Sequence, residues 1–297
     1  MTDLAFQADI APAAASMRWL FGDCQPCFVM EAHDGLSAII ARHAGFSGLW
    51  ASGLSISTSL GYRDSSEASW SAIADVIERM VDASGLPILV DGDTGFGNFN
   101  NARIFAKTLV RRGGRGVCFE DKQFPKLNSF VGDRHLLADA GEFSGRLRAV
   151  KDQAPELILV ARTEALIAGA GMDEALDRAH AYAEAGVDAI LIHSRRSEPS
   201  EVLEFARRWG NRLPLVIVPT KYYATPVSTY RDAGIATVIW ANHSLRASIS
   251  AMRYTCTQIF QEQSIAGVEP DVASLDELFQ LLNYDELSAA ERRYLPG

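Results

Sequence analysis

Eight short apolar runs recur along this chain, and the stretches between them carry apolar residues at three- and four-residue spacing. The runs are Phe28 to Glu31, Gly48 to Ser52, Pro87 to Asp91, Gly116 to Glu120, Leu157 to Arg162, Ala189 to His193, Leu215 to Pro219 and Thr237 to Ala241. Short continuous apolar runs are the pattern of strands buried on both faces of a parallel sheet. The spacing over Ala68 to Ala83, Ala102 to Arg112 and Met172 to Ala185 is that of amphipathic helices. Strand then helix, eight times, predicts a (β/α)8 barrel. A weak internal recurrence agrees with this: His43-Ala44-Gly45-Phe46, Glu184-Ala185-Gly186-Val187 and Asp232-Ala233-Gly234-Ile235 each precede an apolar run. In each, the glycine can take the left-handed conformation that closes a helix before the next strand.

A chain of 297 residues, 48% of them hydrophobic, can bury the core such a barrel needs. No low-complexity linker or charge block divides it, so residues 1–297 are expected to form one barrel domain with further amphipathic helix in the tail, 271–297. The first twenty residues carry no basic start, and Asp9 and Arg18 break their apolar stretch. Neither a signal peptide nor a membrane span is expected, and the expected location is the cytoplasm. A net charge of -9 argues against nucleic acid and anionic membrane as partners. Four cysteines, Cys24, Cys27, Cys118 and Cys256, are too scattered for a disulfide framework, and the single Cys24-x-x-Cys27 pair reads as two half-buried thiols.

In a barrel of this kind chemistry sits at the carboxyl ends of the strands. Those ends are polar throughout: Glu31 and His33, Trp50 and Ser52, Asp91 and Asp93, Glu120, Arg162 and Glu164, His193 and Ser194, Thr220 and Lys221, Asn242 and His243. The fourth run, Gly116 to Glu120, leads into Lys122, Pro125, Lys126, Asn128 and Gly132, a polar loop with breakers that reads as a lid over a metal site, about 121–134. The densest constellation is Asp91-Gly92-Asp93-Thr94-Gly95-Phe96-Gly97-Asn98, with Glu120 one strand over. Two carboxylates at i and i+2 of a strand share a side, and a third from the next strand suits a hard divalent cation held partly through water. The same Asp-x-Asp-x-Gly is also turn chemistry. Zinc is not indicated, because the six histidines show no paired-ligand spacing.

Seven stretches carry a resemblance that runs from about Glu31 to Tyr294-Leu295-Pro296. They are Trp50 to Ser55, Gly61 to Glu67, Asp91 to Asn98, Glu120 to Ser129, Val160 to Ala165, Ile192 to Ser194 and Val218 to Tyr223. They resemble the phosphoenolpyruvate mutase family of the isocitrate lyase superfamily. The resemblance implies Mg2+ on Asp91, Asp93 and Glu120, a (β/α)8 barrel whose last helix is exchanged between subunits, and homodimers or homotetramers. This chain departs from the family's usual Asp-Ala-Asp at Gly92, which bears on the rigidity of that strand.

The lid separates members of the superfamily. Lyases similar to this chain carry Lys-x-Cys-Gly-His there, and here Lys126-Leu127-Asn128-Ser129 stands instead, with Cys118 back inside the strand as a small buried hydrophobe. Phosphonopyruvate hydrolases usually show threonine where this chain has Asn128. The lid therefore points to the mutase branch: Mg2+-dependent interconversion of phosphoenolpyruvate and 3-phosphonopyruvate, which forms a carbon–phosphorus bond and begins phosphonate biosynthesis. Hydrolysis of phosphonopyruvate by the same site, a carbon–carbon lyase, and a barrel that only binds are the alternatives. The amide has a chemical reason, because phosphoryl transfer passes through a loose metaphosphate-like species that water would intercept. A carboxamide can hydrogen-bond the transferring oxygens without taking a proton from water.

The other roles follow the resemblance residue by residue. Arg162 and His193 would clamp the phosphoryl oxygens, and the backbone amides of Ser52, Gly53 and Leu54 would cradle the carboxylate and enolate. Asp64 matches a family active-site aspartate, expected to orient Lys126 or assist the phosphoryl shift. Trp50 would wall the pocket.

Overall fold

The computed structural model describes residues 17–22, 26–132 and 135–295, so Cys24, Asp133 at the far end of the expected lid, and both chain ends lie outside the described residues. Eight parallel strands, β1 (Cys27–Ala32), β2 (Leu49–Ala51), β3 (Ile88–Asp91), β4 (Gly116–Glu120), β5 (Ile158–Thr163), β6 (Ala189–Ile192), β7 (Leu215–Ile217) and β8 (Thr237–Trp240), close into a barrel. Each pairs with its neighbours in sequence, and β8 returns to β1, so that Met30 faces Leu49 on one side and Trp240 on the other. Every strand falls on an expected apolar run. The seventh stops short of Pro219, which has no N–H to give to a ladder.

Helices follow each strand: α1 (Gly35–His43), α2 (Gly53–Ser59) with α3 (Trp70–Ser84), α4 (Phe99–Arg111), α5 (Ala140–Gln153), α6 (Met172–Glu184), α7 (Ser200–Trp209), α8 (Val227–Asp232) and α9 (His243–Glu262). Their starts are set by side-chain caps such as Asp34, which accepts from the Ser37 amide at 2.7 Å, and Ser69, which accepts from the Ala72 amide at 3.2 Å. The recurring glycines close their helices as the repeat predicts, with φ of 95° at Gly45, 90° at Gly186 and 72° at Gly234.

Two apolar layers result from the period-two alternation of the strands. One, with Val29, Leu89, Cys118, Val160, Leu191, Val216 and Ile239, fills the barrel, and Met17 and Leu20 of a short 3-10 turn join it. The other, with Leu49, Val90, Val117, Phe119, Leu159, Ala161, Ile190 and Val238, packs under the helices. The alternation decides what reaches the mouth: Asp91, Glu120, Arg162 and His193 each stand two residues beyond an interior residue, namely Leu89, Cys118, Val160 and Leu191. Cys118 is 1% exposed, a free thiol packed as an interior hydrophobe, and burial pushes it well above the usual thiol range.

By its contacts the chain divides into two units, 1–244 and 245–297. The second holds most of α9, then α10 (Leu275–Leu281) and α11 (Tyr284–Tyr294), where tail helix is expected. It leaves Phe260, Leu275, Leu287 and Tyr294 exposed. Among the described residues no helix is long and apolar enough to cross a membrane.

Candidate active site

Within the first unit a cavity opens at the carboxyl ends of the strands, lined among others by Trp50, Ser52, Leu54, Asp64, Asp91, Glu120, Lys126, Asn128, Arg162 and His193. Ser52 caps α2, its hydroxyl accepting from the Ser55 amide at 3.3 Å, and so turns the chain from β2 across the mouth. The Gly53 amide donates to Asp91 Oδ2 at 3.2 Å. A Cβ on Gly53 would come within 3.1 Å of both Asp91 Oδ2 and Asp93 Oδ1, so glycine lets the backbone approach the carboxylates without displacing them. Of the expected amide cradle, Gly53 is thus spent on Asp91 and Ser52 donates to Ala32 O at 3.4 Å, while the Leu54 amide belongs to a first helical turn, which has no intrahelical acceptor.

Asp91 and Asp93 converge for a different reason from the one the i, i+2 spacing implies. β3 ends at Asp91, and Asp93 lies beyond it with φ 51°, in a left-handed turn that strand periodicity does not describe. The turn is held by the Gly92 amide on Cys118 O at 2.8 Å and by the Glu120 amide on Asp93 O at 2.8 Å. Phe119 and Val117 occupy the space a side chain at position 92 would need: a Cβ there would stand 2.5 Å from Phe119 Cε1 and 2.7 Å from Val117 Cγ2.

The acidic side of the cavity is crowded and buried. Burial first, and then the neighbouring carboxylates, push Asp91 above the usual carboxylate range, and the same causes push Asp93 up to about 7 against the pull of Lys126. Glu120 is 2% exposed, and its Oε1 has no hydrogen-bond partner. Lys126 reaches in from the lid, with Nζ 2.6 Å from Asp93 Oδ1 and 2.8 Å from Asp64 Oδ1. Burial opposes its charge, but Asp93, Asp64 and Asp91 outweigh burial and raise it well above the ordinary lysine value. Asp64 is held below the usual range: desolvation would raise it, and Lys126 with the Asn128 amide overcomes that.

Three buried carboxylates at the ends of β3 and β4 and in the turn after β3, one with an unsatisfied oxygen, fit a hard divalent cation by their donor chemistry. Among the described residues no three His, Cys, Asp or Glu side chains are arranged so that they could by themselves hold a metal ion. A cation here would draw further oxygens from water and substrate.

The opposite side is cationic. Arg162 Nε donates to Glu164 Oε1 at 2.5 Å, its Nη2 lies 2.8 Å from His193 Nδ1, and Glu120 Oε2 is 3.4 Å from Nε. Burial and the adjacent guanidinium lower the His193 pKa, so the imidazole is the neutral member of the pair. Asn128 donates one Nδ2 hydrogen to Asp64 Oδ2 at 2.6 Å and accepts the Phe130 amide on Oδ1 at 3.0 Å, which leaves its second N–H. The Phe130 ring stands edge-on to His193, centroids 5.4 Å apart, with Lys221 Nζ over the ring 5.2 Å from its centroid.

The structure thus brings together Trp50, Ser52, Gly53, Leu54, Asp64, Asp91, Asp93, Glu120, Lys126, Asn128, Arg162 and His193. It adds three that sequence reasoning assigned no role: Lys122, Ser129 and Glu164, all under 5% exposed and bonded to one another. Glu164 was visible as a polar strand end and Lys122 as a lid lysine, but only contact joins them.

With this geometry the similarities of the chain acquire content. The family model for phosphoenolpyruvate phosphomutase matches residues 18–260. Phosphoenolpyruvate phosphomutase of Tetrahymena pyriformis is 51% identical over 271 residues, 90% of each chain. Among solved structures, phosphoenolpyruvate phosphomutase from Streptomyces platensis subsp. rosaceus superposes with a TM-score of 0.92 at 40% identity, over 94% of this chain and 98% of that one. A phosphonopyruvate hydrolase in complex with oxalate and Mg2+ superposes with a TM-score of 0.85 at 35% identity, over 91% and 94%.

Proposed function

The chain belongs to the phosphoenolpyruvate phosphomutase family, in a superfamily that uses a divalent metal, and we propose that it is an isomerase interconverting phosphoenolpyruvate and 3-phosphonopyruvate with Mg2+ in the cytoplasm. The observation that carries the reading is the composition of the lid. Asn128, with one N–H uncommitted, is held to Asp64 in the lining of the cavity that Arg162 and His193 also line, and no thiol or hydroxyl of threonine occupies its place. The cysteine nearest in sequence, Cys118, is sealed in the barrel.

Asp91, Asp93 and Glu120 would hold Mg2+, which when bound supplies positive charge to an enolate oxygen. Arg162 offers its planar fork to the transferring phosphoryl group, and its permanent charge needs no proton transfer during the reaction. The free Asn128 N–H supplies a further donor to the same oxygens, while neutral His193, whose single N–H goes through Nδ1 to Glu164, lines that side of the cavity. Lys126, gripped by Asp64, fixes the lid over the cavity and balances the buried carboxylates. Trp50 and Phe130 keep water out, as a metaphosphate-like group requires. The first-turn amide of Leu54 would receive the substrate carboxylate.

The discriminating experiment is phosphorus NMR of the enzyme with Mg2+ and phosphonopyruvate, which separates carbon-bound, oxygen-bound and free phosphate. Asn128→Ala should lower interconversion sharply and shift the remaining turnover toward pyruvate and phosphate, because truncation leaves room for water beside the phosphoryl group. Substantial phosphate release by the wild type would favour the hydrolase, and an unchanged rate and ratio in the variant would reduce Asn128 to a turn residue.

The same reading includes a homodimer or homotetramer in which α9 is exchanged between subunits. Its support is the row of apolar side chains that the 245–297 unit exposes. Light scattering that finds a monomer at working concentration would refute it.

A further inference from the structure

We infer that Glu164 is a positioning residue that ties the lid to the anion clamp, and so helps decide whether the phosphoryl group meets carbon or water; this rests on the mutase reading above. The side chain is fully buried, and its two oxygens are divided between two parts of the protein. Oε1 accepts from the clamp, Arg162 Nε at 2.5 Å and His193 Nδ1 at 2.8 Å. Oε2 faces the lid, accepting from Ser129 Oγ at 2.6 Å and forming an ion pair with Lys122 Nζ at 3.0 Å. Ser129 closes the circuit by accepting from Arg162 Nη2 at 3.0 Å and from Lys122 Nζ at 2.6 Å. Lys122 also donates to Leu127 O at 2.9 Å, one residue before Asn128.

The capacities are filled on both sides. A serine hydroxyl has one hydrogen and two lone pairs, and all three are used. A carboxylate accepts about four hydrogen bonds, and Glu164 takes three and pairs with the Lys122 ammonium as well. A buried polar network in which every member is satisfied is rigid, and one that loses a member is costly. A carboxylate needed only to offset Arg162 would be redundant here, since Glu120 Oε2 already lies 3.4 Å from Arg162 Nε. What Glu164 adds is the second oxygen, reserved for the lid.

The consequence is mutual dependence. When the lid lifts, Ser129 leaves both Glu164 and Arg162, and the guanidinium loses the acceptor that sets the direction of Nη2. The fork is complete only under a closed lid. In the interconversion the carbon–phosphorus bond breaks and an oxygen–phosphorus bond to the same enolate forms, with no water consumed. In the leak, water oxygen bonds to phosphorus, the carbon–phosphorus bond breaks and the enolate carbon takes a proton, which yields pyruvate and inorganic phosphate.

Two variants test this. Glu164→Gln keeps the shape but sets an NH2 where a donor already stands. Ser129→Ala removes the hydroxyl that joins the lid to both Glu164 and Arg162, while Glu164 stays paired with the clamp and with Lys122, so it decides the matter even if the first variant does not fold. One readout is tryptic cleavage after Lys122 and Lys126, which are 3% and 6% exposed under the closed lid. The other is the ratio of free phosphate to interconverted product by phosphorus NMR. Each single variant should raise both by about tenfold or more, the size of one lost hydrogen bond to a charged group. The double variant should be no worse than Glu164→Gln alone, because both act through one tie. Unchanged cleavage and an unchanged product ratio in the single variants, or effects that simply add in the double, would overturn the inference. A wild type that itself releases mainly phosphate would sink the mutase reading instead, while the cleavage readout still decides the role of Glu164.

Discussion

Replacing Gly92 by alanine restores the residue usual in this family, and the structure says that it should nevertheless destabilise this chain. Position 92 does not have a positive φ, so alanine is conformationally allowed there. The obstacle is space. An ideal Cβ would stand 2.5 Å and 2.7 Å from Phe119 Cε1 and Cδ1, and 2.7 Å from Val117 Cγ2, where ordinary contact begins at 3.4 Å. Phe119 would have to retreat by close to an ångström. It is fully buried, and behind it Phe105 lies with ring centroid 6.4 Å away, itself against Phe96 at 4.8 Å. Overpacking of a filled core costs about 1–3 kcal/mol. Against this, alanine restricts the unfolded chain and returns about 0.4–1 kcal/mol. The expected net loss is about 1–2 kcal/mol, read as a lower urea midpoint with an unchanged slope. Phe119→Leu should cost less in the Gly92→Ala background than in wild type, since the shared space couples the two sites. A Gly92→Ala protein as stable as wild type, or a Phe119→Leu cost that is equal in both backgrounds, would refute the packing argument.

Asp91→Ala should abolish Mg2+-dependent turnover while circular dichroism shows the barrel intact, because Asp91 stands at the mouth and not in either apolar layer; full activity would remove the metal assignment. Arg162→Lys keeps the charge and loses the fork, so turnover should fall by about two orders of magnitude, and a change below about threefold would make Arg162 a structural residue. The Glu164 carboxyl is held well below its ordinary value of 4.5, because Arg162, His193 and Lys122 outweigh the burial that would raise it. A depressed folded-state pKa contributes stability that is present above the ordinary value and lost as pH falls below it. The stability gap between wild type and Glu164→Gln should therefore be full near pH 6 and shrink below about pH 4.5, and a gap that stays flat from about pH 5 to pH 3 in urea titrations would refute it.

What the chain shows by itself is periodic or local. The strand runs, the helix spacing and the glycines that close helices are short-range patterns dictated by backbone geometry, and the barrel follows because eight such units have few other ways to bury their strands. The acidic and cationic strand ends were legible for the same reason, since alternation places Asp91, Glu120, Arg162 and His193 two residues past interior positions. The i, i+2 spacing names Asp93, but a left-handed turn and not strand alternation carries it to the site. The partners of the lid follow no such pattern, and of them only Asp64 with Lys126 is implied by the resemblance. Lys126 meets Asp64 and Asp93 across separations of 62 and 33 residues, and Ser129 meets Glu164 across 35. A side-chain contact of that span has no period, so it exists only once the barrel has closed and set the lid beside the ends of β5 and β6.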